Sequence, residues 1–227
     1  MEPHECIGTA MVPGGVELRL IRHGGNFTIA MGDNDLMSTR VSGSEAALAT
    51  MTSARLGSRR GSEWLIGGYG MGFTLRAALA TLEDDACVTV AELVPEIIEW
   101  ARGPMRALTA GCLADARVQL VGQDVTTLIG AATAAYDAIL LDVDNGPEGL
   151  SCASNDFLYS SAGLAAARHA LKPGGILAIW SAFSDARFAA RLEASGFDVA
   201  EVNVSDGPKA GGDMHVLWFA RKSAPEA

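Results

Sequence analysis

Gly68, Tyr69, Gly70, Met71 and Gly72 form a GxGxG turn between an apolar stretch, Trp64 to Gly67, and a run of helix formers, Phe73 to Leu82. Glycines let the backbone approach a ligand closely, and a turn in this place aims the following helix N-terminus at it. Glu92 stands twenty residues after Gly72, at the end of the next apolar stretch. A carboxylate there can accept hydrogen bonds from both ribose hydroxyls. Together the glycines and Glu92 point to an adenosine-containing ligand. The lysine and Ser/Thr of a P-loop are absent, and the third glycine falls two residues after the second rather than three. That spacing favours an adenosine cofactor without a pyrophosphate. Asp124, after a third apolar stretch, suits two roles equally: receiving the adenine amino group, or capping the helix that follows.

The segment Leu140-Leu141-Asp142-Val143-Asp144-Asn145-Gly146-Pro147 drives a strand straight into two carboxylates and a Gly-Pro turn. Neighbouring acids oppose each other's ionisation unless a cation lies beside them. A substrate ammonium or a sulfonium would supply it; the alternative use of such residues is local bonding within the turn. Glu148, Asn155, Asp156 and Tyr159 follow as candidates for a lid. His4, His23, His169 and His215 make no pattern, and Trp100 and Trp180 suit a core. Neither a Gly-x-Ser-x-Gly elbow nor an HExxH is present. Serine hydrolase and zinc peptidase chemistry therefore have no support, and the chemistry proposed for the acids requires no metal.

The glycine turn, Glu92, Asp124 and the Asp142 segment each lie at the end of an apolar stretch, which is where open parallel sheets bind ligands. The pattern predicts strands at Trp64 to Gly67, Val88 to Leu93, Arg117 to Val121, Tyr136 to Asp142 and Gly175 to Trp180. Helices are expected at Phe73 to Leu82, Pro95 to Arg102, Ser160 to Leu171 and Asp185 to Ser195. Alternating units of this length give a parallel sheet with helices on both faces. The last two strands, Phe197 to Val204 and Met214 to Ala220, have no helix between them and should pair antiparallel. Ahead of this sheet, Val16 to Ile21 and Phe27 to Met31 flank His23-Gly24-Gly25-Asn26 as a β-hairpin. Ser44 is the expected N-cap of a helix that fades near Gly57. The division is a hairpin appendage over residues 1–40 and an α/β domain over residues 41–227.

The 227 residues carry 27 acidic and 17 basic side chains, a net charge of −10, with 49% hydrophobic and 19% charged residues. Such a chain can bury a sizeable core and is not disordered. With only three lysines it offers no basic face to nucleic acid, and its acidity favours a cationic or neutral small-molecule acceptor. No basic leader precedes an apolar run, and no run is long enough to span a bilayer. The expectation is a cytoplasmic protein without membrane contact. Cys6, Cys87, Cys112 and Cys152 are too scattered for a zinc site or a disulfide scaffold, and Cys87 is expected to be buried in a strand.

Taken in order, the motifs resemble the spermidine synthase-like branch of the S-adenosylmethionine-dependent methyltransferase superfamily, from Gly14 to Arg221. WLIGGYGMGFTLRAAL is similar to the family's first strand, loop and helix, and VTVAELVPEIIEWAR to its second strand with the ribose acid, here Glu92, beside Leu93. YDAILLDVDNGPEGL resembles the segment that begins with the catalytic aspartate, here Asp142, and LKPGGILAIWSA the entry to the fifth strand. The resemblance implies a Rossmann-like seven-stranded sheet, mostly parallel with its last strand antiparallel. It also implies an adenosine site formed by the glycine loop, Glu92, Leu93, Asp124 and Asp142, and it allows a homodimer.

Aminopropyltransferases of the family carry Gly-Gly-Gly-Asp-Gly-Gly in the loop, whose aspartate holds the aminopropyl amine; here Met71 stands at that position. Their second-strand acid pair is Glu92 with Val94, their Tyr-His-Glu-like element is Gly43-Ser44-Glu45, and their Asp-Ser-Ser-Asp-Pro is Asp142-Val143-Asp144-Asn145-Gly146. These departures make a methyltransferase the expected activity. It would transfer methyl from S-adenosylmethionine to a small amine-containing acceptor and release S-adenosylhomocysteine, with Asp142 as base and Asp144 holding a second positive group. An aminopropyltransferase is the alternative, and a non-catalytic cofactor-binding protein a third reading.

Overall fold

The computed structural model describes residues 4–109, 111–143, 146–147, 156–206 and 213–224. Its first four strands, β1 (Glu5–Val12), β2 (Val16–His23), β3 (Asn26–Met31) and β4 (Asn34–Ser38), pair antiparallel in the order β1-β2-β3-β4. The expected hairpin is the centre of this sheet, with Gly24 supplying the positive φ of 59° that its turn needs. Its flanking strands lacked a hydrophobic alternation to reveal them. The pairing of β1 with β2 is irregular between Cys6 and Gly8, and β4 is five half-polar residues, Asn34 to Ser38.

Helix α1 (Gly43–Leu56) leads into an α/β succession: β5 (Glu63–Gly67), α2 (Phe73–Leu79), β6 (Cys87–Ala91), α3 (Pro95–Arg102), α4 (Arg106–Thr109), β7 (Val118–Val121), α5 (Val125–Ala131) and β8 (Tyr136–Leu141). It continues through α6 (Asp156–Tyr159), α7 (Ser161–Ala170), β9 (Leu171–Ser181), α8 (Ala186–Ala194), β10 (Phe197–Ser205) and β11 (Met214–Lys222). The strands form one seven-stranded sheet in the order β10-β11-β9-β8-β5-β6-β7. From β9 to β7 neighbours run parallel, while β11 is antiparallel to both β9 and β10. The fold is therefore the α/β sheet anticipated, with the closing antiparallel pair.

Period-two alternation sends successive side chains to opposite faces, and both faces are buried. Trp64, Ile66, Val88 and Leu140 pack on one side with Leu48 of α1 and with Leu20 and Ile29 of the N-terminal sheet. Leu65, Ile139 and Leu141 pack on the other with Leu164, Phe188 and Trp218. The chain order turns back between β5 and β8, so the carboxyl ends of these two strands open the crevice where a ligand fits.

Three local expectations are corrected. Helix α1 starts at Gly43 with Ser42 as its N-cap, so Ser44 lies inside the first turn and its hydroxyl bonds elsewhere. Helix α2 ends at Leu79 rather than Leu82. Cys87 is the first residue of β6 and only half-buried. Among the described residues no helix is long and apolar enough to cross a membrane.

Candidate active site

The glycine turn leaves β5 with Gly68 at φ 82°, and a Cβ there would stand 2.6 Å from the Asp142 carbonyl. Only glycine fits between the two strand ends. The β5 ladder continues past the strands through Gly68 N–H to the Ala91 carbonyl (2.9 Å) and Asp142 N–H to the Gly67 carbonyl (3.2 Å). Asp142 and Glu92 are thus held on either side of the turn by main-chain bonds.

Glu92 is 7% exposed. Its Oε2 accepts the Tyr69 N–H at 2.9 Å and its Oε1 the Val94 N–H at 2.8 Å. Burial pushes its pKa up, and these backbone donors pull it back. The Gly70 and Leu93 amides act on the same carboxylate, which is thus held by the backbone of both the glycine turn and the start of α3. Gly68, Gly70, Glu92, Leu93, Asp124 and Asp142 line one cleft of about 890 Å³, its open mouth included. The opposite wall is apolar and comes from the N-terminal sheet and its connections, with Val12, Leu18, Ile29, Met31, Leu36 and Met37. An apolar wall facing a few fixed polar groups is the ordinary character of a small-molecule pocket.

Of the two roles considered for Asp124, the helix cap is formed. It caps α5, its Oδ1 accepting from the Thr126 N–H (2.8 Å) and the Thr126 hydroxyl (2.7 Å), and it also lines the cleft. Asp142 Oδ2 accepts the Thr74 hydroxyl at 2.7 Å. Burial raises Asp142 to about 6, with the Thr74 bond opposing the rise. Glu45, on the first turn of α1, is raised to about 7, first by burial and then by the negative charge of Asp142. The charge of Asp142 thus opposes ionisation of Glu45, and a cation beside the two carboxyls would relieve that cost.

The structure separates other expected site residues from the cleft. Met71 is 3% exposed and belongs to the core packed beneath the turn. Tyr69 also points inward, its hydroxyl 3.5 Å from Cys112 Sγ, and only its N–H serves the site through Glu92. Gly72 caps α2 at φ 74° instead of facing the cleft. Tyr159 packs edge-on against Phe188 rather than forming a lid. Asp144, Glu148 and Asn155 lie outside the described residues.

The sequence offers no site role for Thr74, Asp206 or His215, and it suggests a helix cap for Ser44 and a core place for Trp180; all five gather around Glu45 or Asp142. Glu45 had one signal, its place in the Gly43-Ser44-Glu45 element. Trp180 was read as core, yet its indole N–H donates to the Ser44 hydroxyl at 2.9 Å.

Comparison with known proteins adds four findings. Residues 59–184 match the family model described as the spermine/spermidine synthase domain. Over 172 residues the chain is 32% identical to polyamine aminopropyltransferase 1 of Streptomyces coelicolor; the match covers 72% of this chain and 31% of that relative. The fold resembles spermidine synthase from Thermotoga maritima (TM-score 0.75, 18% identity, 96% of this chain and 73% of that one). It also resembles a probable spermidine synthase from Corynebacterium glutamicum (TM-score 0.63, 18% identity, 96% and 81%).

Proposed function

Because the chain belongs to the spermine/spermidine synthase family, we propose that it transfers an aminopropyl group from decarboxylated S-adenosylmethionine to a polyamine-type amine. The expected methyltransferase activity is overturned by the aminopropyltransferase relative. Its main support, Met71 in place of an aspartate, also fails physically. A side chain buried in the core beneath the turn does not meet the tail of a ligand in the cleft, so its type does not select between carboxylated and decarboxylated donors.

The observation that carries the reading is Asp142 lining one cleft with Glu92, bonded by Thr74, whose hydroxyl also reaches the Glu45 carbonyl at 3.4 Å. When bound, the donor supplies a sulfonium: the amine nitrogen bonds to the propyl carbon, the carbon–sulfur pair returns to sulfur, and 5′-methylthioadenosine leaves. Glu92 would hold the ribose and Asp124 the adenine amino group. Asp142, fixed by Thr74, would take the proton that an ammonium must lose before its nitrogen can attack. Glu45 would hold positive charge on the acceptor. The apolar wall of the N-terminal sheet keeps water from the reacting atoms, and alignment of the two substrates supplies much of the acceleration.

The acid pair also makes a cation and pH together control stability. Both carboxyls have folded pKa values above their ordinary ones, so the folded state holds protons that the unfolded chain releases. Their contribution to stability is therefore full below about pH 4 and is lost as the pH rises through about 6 to 7. A diamine restores it by pairing with the ionised acids. In thermal unfolding, 1,4-diaminobutane should raise Tm by several degrees at about pH 8 and far less at about pH 5. An equal shift at both values, or none, would count against an amine at this pair.

A further inference from the structure

The Ser44 hydroxyl is a crowded junction. Within 3.0 Å of its Oγ lie Glu45 Oε2 (2.9 Å), Asp206 Oδ1 (2.8 Å), Trp180 Nε1 (2.9 Å) and His215 Nδ1 (3.0 Å). A hydroxyl has one hydrogen to give and two lone pairs to receive with, so it offers three bonds to four neighbours. Trp180 can only donate and occupies one lone pair. His215 occupies the other in the tautomer whose Nδ1 carries the hydrogen, the one that also suits the Asp206 carboxylate beside it. Two carboxylates then contend for a single hydrogen, and they do not depend on it equally. Asp206 Oδ1 also accepts the Ser44 N–H at 3.2 Å, and its Oδ2 lies 3.7 Å from His215 Nδ1. Among the described residues, Ser44 is the one side chain that donates a hydrogen bond to the Glu45 carboxylate.

The junction is built into the fold. Gly43 N–H donates to the Asp206 carbonyl at 3.3 Å, and a Cβ on Gly43 would stand 2.8 Å from that oxygen, so the start of α1 lies directly on the end of β10. Ser44 and Asp206 are buried. The titratable groups meeting here are Glu45 from α1, Asp142 from the end of β8, Asp206 from the end of β10 and His215 from β11. The β9 side adds Trp180 and α2 adds Thr74, neither of which carries charge.

We propose that Ser44 and Asp206 are positioning residues that set the charge on Glu45: the Ser44 hydrogen is divided between the two carboxylates, and the share Asp206 takes is withheld from the acid that receives the acceptor amine. This role rests on the amine-binding function proposed above. Ser44 stabilises ionised Glu45 by its hydrogen bond, whereas Asp206 opposes that ionisation both by its negative charge and by drawing the hydrogen away. The two residues therefore act in opposite directions.

The test is a ¹³C NMR titration of the Glu45 side-chain carboxyl in the full chain, its signal identified by its loss in Glu45→Gln. Ser44→Ala should raise the titration midpoint by about one pH unit or more, since a hydrogen bond to a charged group contributes at least about tenfold in the ionisation constant. Ser44→Thr, which keeps the hydroxyl, should restore it, and Asp206→Asn should lower it. In turnover of 1,4-diaminobutane with decarboxylated S-adenosylmethionine, a midpoint raised from about 7 to about 8 cuts the ionised fraction at neutral pH roughly fivefold. KM for the diamine should rise accordingly in Ser44→Ala, by more than kcat falls, and the gap should close at high pH. A wild-type protein that turns over no amine would refute the proposed function while leaving the titration to decide the junction. An unmoved Glu45 midpoint in folded Ser44→Ala, or movement in the same direction in Ser44→Ala and Asp206→Asn, would overturn the junction itself. Should Ser44→Ala fail to fold, the downward shift in Asp206→Asn decides alone.

Discussion

Asp142→Asn should lower kcat for aminopropyl transfer by roughly a hundredfold or more while changing the affinity for 5′-methylthioadenosine less than about tenfold. The substitution is nearly isosteric, and the amide oxygen can still accept the Thr74 hydroxyl that now bonds Asp142 Oδ2 at 2.7 Å. What is lost is the capacity to take a proton. The effect should be largest near neutral pH, where an acid raised to about 6 is mostly ionised and amine acceptors are almost wholly protonated. The acid limb of the wild-type pH profile should also change, because Asp142 and Glu45 titrate as an interacting pair. Steady-state kinetics across pH, with calorimetry of 5′-methylthioadenosine, separates loss of chemistry from loss of binding. Wild-type kcat in this variant would leave Asp142 as the residue that merely joins β8 to its turn.

Glu92→Ala should weaken binding of 5′-methylthioadenosine about ten- to a hundredfold, as expected for losing hydrogen bonds to a charged acceptor. It should also cost stability, because Tyr69 N–H and Val94 N–H both donate to this carboxylate and would be left without it. Each stranded buried donor costs about 1–3 kcal/mol. Glu92→Gln keeps one strong acceptor and should fall between the two. Calorimetry on the folded variants, together with urea unfolding, distinguishes the effects. Unchanged affinity in a folded Glu92→Ala would remove Glu92 from the ligand site and make it a clamp for the glycine turn alone.

The residues most legible in the sequence are those whose position is dictated by local pattern. Glu92 and Asp142 end short β-branched or leucine-rich runs, and strand ends in a parallel sheet converge on one crevice; the structure lines one cleft with both. Pro95 marks the start of α3, and Asp185 and Ser160 cap α8 and α7, each bonding an N–H of the first turn. Alternation inside the glycine turn is different. Positive φ at Gly68, Gly70 and Gly72 turns the chain so that Tyr69 and Met71 face inward, and nothing in GxGxG states which way they point. The Ser44 junction was equally hidden. Ser44 and Asp206 are 162 positions apart, and only the pairing of β10 with β11, and of β11 with β9, brings them together. In sequence, Ser44 looked like a helix cap because Ser before helix formers usually is one.

The most direct measurement is turnover of the purified protein with 1,4-diaminobutane, offered decarboxylated S-adenosylmethionine in one reaction and S-adenosylmethionine in another, with products identified by mass spectrometry. An aminopropyl transferase should form 5′-methylthioadenosine and the aminopropylated amine in equal amounts from the decarboxylated donor, and Asp142→Asn should abolish most of both. Methylated amine from S-adenosylmethionine with no turnover of the decarboxylated donor would contradict the assignment, as would tight binding of 5′-methylthioadenosine with no transfer from either donor.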